Sequence, residues 1–382
     1  LETPLQALLT DKADNGIPDA EKSKWGLSYN AGTRVFTLTI TGSNTYYYIN
    51  GRKFTLAVGT YNFTAHTNTS GVYYFYFNSS GVATTSGTIW DILSSCQVAY
   101  VYYNATTITG LLAYELHGCN MSSWEHKYHH LTDGTKFGSG GALSGYTPRS
   151  DTVANVQFGI SSATYYDEDI ELVSDTFVDG SNYNILSRNA SGEWAITSSS
   201  LPYLNTLGGT NNPRINQGGT TLTELTTNDT YFNSYVILTN FLGVNRVLLL
   251  SGQSSYTTLN GAQSESVATL NLAGLPMQEF VILWQISFRY RGTYSTTTAK
   301  TRIEAEPVRV TINRANISGF AGSHNALSGR SDANSHPISA INATIPNAII
   351  FEKADGLGLG ESLDITWNDS TKILSAKNIT TE

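Results

Sequence analysis

The sequence predicts a mainly β protein: two β-sandwich or jelly-roll-like domains joined by Gly- and His-rich connectors, with a short N-terminal helix and a small C-terminal β segment. Three observations carry that expectation. Charged residues make up only 14% of the chain, against about 25% in an average globular protein, and Ser, Thr, Asn and Gly take their place. The 23 tyrosines and the many β-branched residues suit pleated, half-buried surfaces, while the 34 glycines supply turns. Short apolar runs recur with turn residues between them, the pattern of sandwiches and barrels. At 382 residues the chain exceeds the usual single domain, and 40% hydrophobic residues are enough to build cores.

In chain order, residues 1–13 hold Leu5, Leu8 and Leu9 at helical spacing, and the Asp14–Pro18 turn cluster ends that segment. The first β-domain is expected over 14–116. Arg34–Thr41 alternates apolar and polar, as a strand with one wet face does. The aromatic run Thr45–Ile49 is followed by Asn50-Gly51, a two-residue hairpin signal, and then by Lys53–Leu56. Val72–Phe77, Gln97–Tyr103 and Leu111–Tyr114 complete the domain.

Residues 117–150 are rich in His and Gly and short of apolar runs, so they read as a connector without a packed core. The second β-domain, 151–312, has strand candidates at Val156–Phe158, Ile170–Leu172, Tyr183–Leu186, Tyr235–Leu238 and Val247–Leu250. Two longer ones follow at Phe280–Phe288 and Ile303–Ile312, and the continuous apolar run at 280–284 suggests a strand buried on both faces. Leu259–Leu272 has helical spacing. A second connector, 313–345, leads to a C-terminal β segment at 346–382, which is too short to hold a core alone. Ala142–Gly145 before Arg149–Asp151 is echoed by Ala326–Gly329 running into Arg330–Asp332, one linker device used twice.

Charge and composition exclude several function classes. A net charge of −8 without a basic stripe argues against nucleic-acid binding. No run approaches the roughly 20 apolar residues of a membrane span. The chain opens at Leu1 without a Met or a recognisable signal peptide, as a processed chain or a piece of a longer one does. Cys96 and Cys119 lack metal-type spacing and read as buried free thiols.

Histidine is the residue from which chemistry would start. His126, His129 and His130 stand at i, i+3 and i+4, which on a helix places imidazoles close together and makes them the candidate metal ligands. There is no HExxH frame, so the favoured reading is a polar linker with hydrogen-bonded histidines, without a cofactor. Asp167-Glu168-Asp169, with Glu171 and Asp175 nearby, has the carboxylate density a glycosidase would need. Adjacent strand residues point to opposite faces, however, so this group is expected to be a solvated turn able to bind a cation, without EF-hand spacing. No nucleophile elbow, P-loop or dinucleotide fingerprint is present.

Two segments resemble bacteriophage tail-fibre and virion appendage proteins. One is His324-Asn325-Ala-Leu327-Ser-Gly329-Arg330 with His336-Pro337, similar to an HNxLxGR…HPxxAI linker. The other is His117-Gly118 followed by His126-Lys-Tyr-His129-His130 and Gly134-Thr135. Gly274–Pro276 with Phe280–Trp284 is similar to the second domain of such proteins. The resemblance implies an elongated homotrimer on the virion that contacts other phage structural proteins and a host-surface glycan or protein, without catalysis. In a trimer, one or two of these histidines from each chain would meet on the axis, where imidazole suits Zn, Fe or Ni. A capsid head fibre or decoration protein differs from a tail fibre only in location. A polysaccharide-cleaving tailspike is the enzymatic alternative, against which stands the lack of a β-helix repeat. A cellular adhesin or surface-layer protein would bring a secretion signal or wall anchor, and neither is visible.

Overall fold

A computed structural model describes residues 15–150, 152–206, 210–242, 246–294, 300–313, 348–352, 359–368 and 373–376. The chain divides into two compact units, Leu1–Ser318 and Gly319–Glu382. Both are built from β-strands, as composition predicts. The N-terminal helical segment, the second connector and the His324–Pro337 motif lie outside the described residues. Among the described residues no helix is long and apolar enough to cross a membrane.

The larger unit begins with strands Trp25–Asn30, Val35–Ile40 and Gly59–Asn62 in one antiparallel sheet. The alternation expected for Val35–Ile40 is present: Phe36, Leu38 and Ile40 are buried and the residues between them half-buried. Thr45–Ile49 and Arg52–Leu56 form the hairpin expected at Asn50-Gly51. Both turn residues have positive φ, 49° and 70°, as a type I′ turn requires. These elements pack on a four-stranded sheet ordered Ala83–Ser86, Gly71–Phe77, Cys96–Asn104, Thr109–Tyr114. The core between them is aromatic, with Phe36 stacked on Phe75 and Tyr47 on Phe77 at 4.6 and 4.5 Å between ring centroids.

Cys96–Asn104 is buried along its whole length, because its other face covers a second sheet. That sheet has seven strands, in the order Trp194–Ser199, Tyr183–Arg188, Val247–Tyr256, Thr230–Thr239, Phe280–Tyr290 and Thr301–Ile303, with Val308–Asn313 also pairing to Phe280–Tyr290. Tyr100, Tyr102 and Trp90 from the first β region share one core with Leu186, Trp194, Tyr235 and Ile282 from the second. Hydrogen bonds cross the same layer: Tyr100 Oη donates to Asn240 Oδ1 (2.9 Å), and the Trp194 N–H to Tyr102 Oη (2.9 Å). The two regions expected as separate blocks therefore share buried apolar surface, the main favourable term in folding. On its far face the seven-stranded sheet covers a third core around Phe232, Val236, Leu249 and Leu283.

Three local expectations differ from the structure. Val156–Phe158 is not a strand; Val156 ends a single helical turn, Val153–Val156, and Phe158 is buried in the loop after it. The run Ile303–Ile312 breaks into Thr301–Ile303 and Val308–Asn313, with Pro307 between them lacking the N–H a ladder needs. Leu259–Leu272 divides into the helix Leu259–Gln263, capped by Thr258, and a 3₁₀ turn at Val267–Thr269 capped by Ser266. Cys96 is a buried free thiol, as expected, whereas Cys119 is only partly buried. The smaller unit contains an antiparallel sheet of Ala348–Glu352, Leu359–Asn368 and Ile373–Ala376, in the place where a small β segment is expected.

Candidate functional site

Residues 117–150, expected to form an unpacked connector, bring three histidines into the interior. His117 follows strand Thr109–Tyr114 and is fixed by its backbone, its carbonyl accepting from the Ile17 N–H at 2.8 Å. His126 and His130 lie on helix Ser123–Thr132. A reciprocal capping box starts this helix: Ser122 Oγ accepts from the Glu125 N–H, and Glu125 Oε2 accepts from the Ser122 N–H at 2.9 Å. The helix ends at Gly134, whose φ of 54° is the left-handed cap conformation and whose N–H donates to the His129 carbonyl at 2.8 Å.

Spacing of i, i+4 puts His126 and His130 on one face, and both are buried. His129, the third expected ligand, points elsewhere. It is partly exposed, and its Nδ1 pairs with Asp133 Oδ2 one turn on, at 2.5 Å. Of the candidate metal residues, then, the structure groups His126 and His130 and adds His117.

The carboxylates around them come from three places. Asp167 pairs with Ile170 in an antiparallel hairpin, which leaves Glu168-Asp169 as a two-residue turn with Glu168 at φ 44°. The run is not a solvated turn. Its tip is folded inward, with the Asp167 residue and the Glu168 side chain fully buried and the Asp169 side chain 11% exposed. The strand rule that separates adjacent side chains does not apply at a turn. Glu115 comes from the end of strand Thr109–Tyr114, and Glu279 from the 3₁₀ turn before Phe280.

Asp169 clamps the His117-Gly118 step. His117 Nδ1 donates to Asp169 Oδ1 at 2.7 Å, and the Gly118 N–H donates to Oδ2 at 2.5 Å. A Cβ at Gly118 would lie 2.6 Å from that same oxygen, so a larger residue there would displace the Asp169 carboxylate. His117 Nε2 faces Glu115 Oε2 at 3.4 Å and Glu168 Oε2 at 3.8 Å. Glu168 Oε1 is 3.3 Å from His130 Nδ1, and Glu279 Oε1 is 3.7 Å from it. Asn240 Nδ2 donates to Glu115 Oε1 (2.6 Å) and Asp167 Oδ2 (3.1 Å), tying the seven-stranded sheet to the cluster.

Burial and neighbours pull these groups apart in protonation. For His117, desolvation disfavours the cation, but Asp169 and Glu115 outweigh it and hold the pKa well above the ordinary value. His126 is held well below it by burial, then by repulsion from His117 and His130. His130 is raised, since Glu168 outweighs burial. Burial pushes Asp167, Glu168 and Glu279 upward, reinforced by neighbouring carboxylates, whereas His117 outweighs burial at Asp169 and pulls it down. The surroundings thus favour the neutral form at His126 and the protonated form at His117 and His130. A pocket of about 110 Å³ runs from the surface beside His129 and Asp133 to Glu168.

Glu115, Glu279 and the inward direction of the Asp167–Asp169 turn were missed in the sequence. The acidic run was its one visible signal; Glu279 carries none. The chain matches no family model, no curated protein and no solved structure.

Proposed function

We propose that this chain is a structural or adhesive subunit of a bacteriophage particle, a tail-fibre or appendage protein that works as a homo-oligomer and performs no catalysis. A capsid head fibre meets the same physical description. The observation that carries the reading is the outer face of helix Ser123–Thr132. Trp124, Tyr128 and Leu131, at i, i+4 and i+7, are 66%, 62% and 57% exposed. The helix is inverted relative to a surface helix of a monomer, with imidazoles inside and an apolar stripe outside. Large amphipathic aromatics on a surface favour association. This stripe lies within the segment that resembles phage appendage proteins, and a second copy of the chain is the partner that reading supplies.

The test is the native mass of the full chain by light scattering, with Trp124→Glu/Tyr128→Glu alongside. An elongated trimer for the wild type and a folded monomer for the double variant are expected. A compact, concentration-independent wild-type monomer overturns the proposal.

A further inference from the structure

The histidine–carboxylate cluster has more donors than its own hydrogen bonds use. Among the described residues, both ring nitrogens of His130, both carboxylate oxygens of Glu168 and Oε2 of Glu279 are buried without a hydrogen-bond partner. The 3.3 Å approach of His130 Nδ1 to Glu168 lacks hydrogen-bond alignment. A buried polar atom left unpaired costs about 1–3 kcal/mol, and more when charged, so an orphan group of this size needs a physical reason.

Charge sharpens the point. Glu115, Asp167, Glu168, Asp169 and Glu279 converge on His117, His126 and His130. Excess buried negative charge is costly unless a cation or protons offset it.

The geometry suits a small ion. One ligand atom from each of His117, His126 and Glu168 lies within 4.8 Å of the others, and the same holds for Glu115, His117 and Asp167. Tetrahedral bonds of about 2.0–2.1 Å place ligand atoms roughly 3.3–3.5 Å apart, close to the 3.4 and 3.8 Å between His117 Nε2 and its facing carboxylates. The other nitrogen of His117 donates to Asp169, the outer carboxylate that orients a metal-bound imidazole.

We propose that this cluster binds one divalent transition-metal ion of the zinc class, held by His117 Nε2, a ring nitrogen of His126 and the Glu168 carboxylate, with Glu115 and Asp167 completing the anionic wall. Imidazole donors disfavour Ca²⁺ and Mg²⁺, which take oxygen ligands. The ion is structural: it joins the helix, the strand end and the Asp167–Ile170 hairpin, and burial leaves no open face for a substrate. This proposal is independent of the oligomer reading, because all its ligands belong to one chain.

The experiment uses the untagged full-length chain, stripped by dialysis against a chelator and titrated with Co²⁺ and then Zn²⁺. One equivalent of Co²⁺ is expected to develop visible d–d bands of a four- or five-coordinate site, which Zn²⁺ bleaches. His126→Ala and Glu168→Gln abolish the bands, and Asp169→Asn weakens binding about 10–100-fold. His129→Ala, on the outer side of the same helix, binds as wild type does. Wild-type protein with no such bands overturns the proposal whether or not any variant folds. So does unchanged binding in a folded His126→Ala, and so does loss of binding in His129→Ala, which would place the ion at the surface.

Discussion

His66 and His117 are both buried histidines next to the same four-stranded sheet, yet their surroundings are opposites. His66 lies among aromatic rings, stacked on Tyr73 at 3.7 Å and edge-on to Tyr103 at 4.8 Å between centroids. Its Nδ1 donates to the Thr67 carbonyl at 2.7 Å, which can only accept, so Nε2 accepts from Tyr29 Oη at 2.6 Å. A neutral ring satisfies every partner, and burial, the largest influence, lowers its pKa. His117 has carboxylates at both nitrogens. One imidazole is a finished building block and the other is a charged or ligating group. Burial does not distinguish them; the polarity of the neighbours does.

One substitution made at both sites breaks the comparison most sharply. His117→Phe leaves Asp169 and Glu115 buried without their counter-ion and is expected to cost about 3–5 kcal/mol, read as a shift in the urea midpoint at unchanged slope. His66→Phe keeps an aromatic ring in an aromatic slot and orphans only the Tyr29 hydroxyl and the Thr67 carbonyl, about 1–3 kcal/mol in the same assay. Equal losses at the two positions would erase the distinction.

A smaller effect isolates the helix that carries His126 and His130. Ser122→Ala removes the capping box and should lower stability by about 1 kcal/mol, without touching the aromatic slot. A hydrogen-exchange comparison should place the loss of protection in residues 123–132.

The smallest effect is that of pH on His66. Its folded pKa lies below the unfolded value of 6.5. As pH falls through about 6.5 the unfolded chain takes up the proton first, so stability declines on the acid side. Between pH 7.5 and 5 the stability of His66→Phe should therefore fall less than that of wild type. Parallel curves would mean that His66 titrates normally.

Much of the β architecture was legible because it rests on local rules. Phe36, Leu38 and Ile40 alternate, Asn50-Gly51 allows positive φ at both positions, and Phe280–Leu283 is apolar on both faces and buried on both. The candidate site was legible only in part. The i, i+4 spacing of His126 and His130 was readable, but whether that face pointed inward depended on what stood opposite. The inward fold of the Asp167–Asp169 run was not legible, because the alternation of strand side chains does not hold at a turn.

From its own residues, then, the chain determined its strands, its hairpin at Asn50-Gly51 and the shared helical face of His126 and His130, since backbone sterics and side-chain periodicity act over a few residues. Tertiary structure alone decided that Glu115, Asp167–Asp169 and Glu279 surround those histidines, and that Tyr100 and Tyr102 share a core with Trp194. Those contacts join distant segments through burial and charge, forces that depend on proximity in space and leave no period in the sequence.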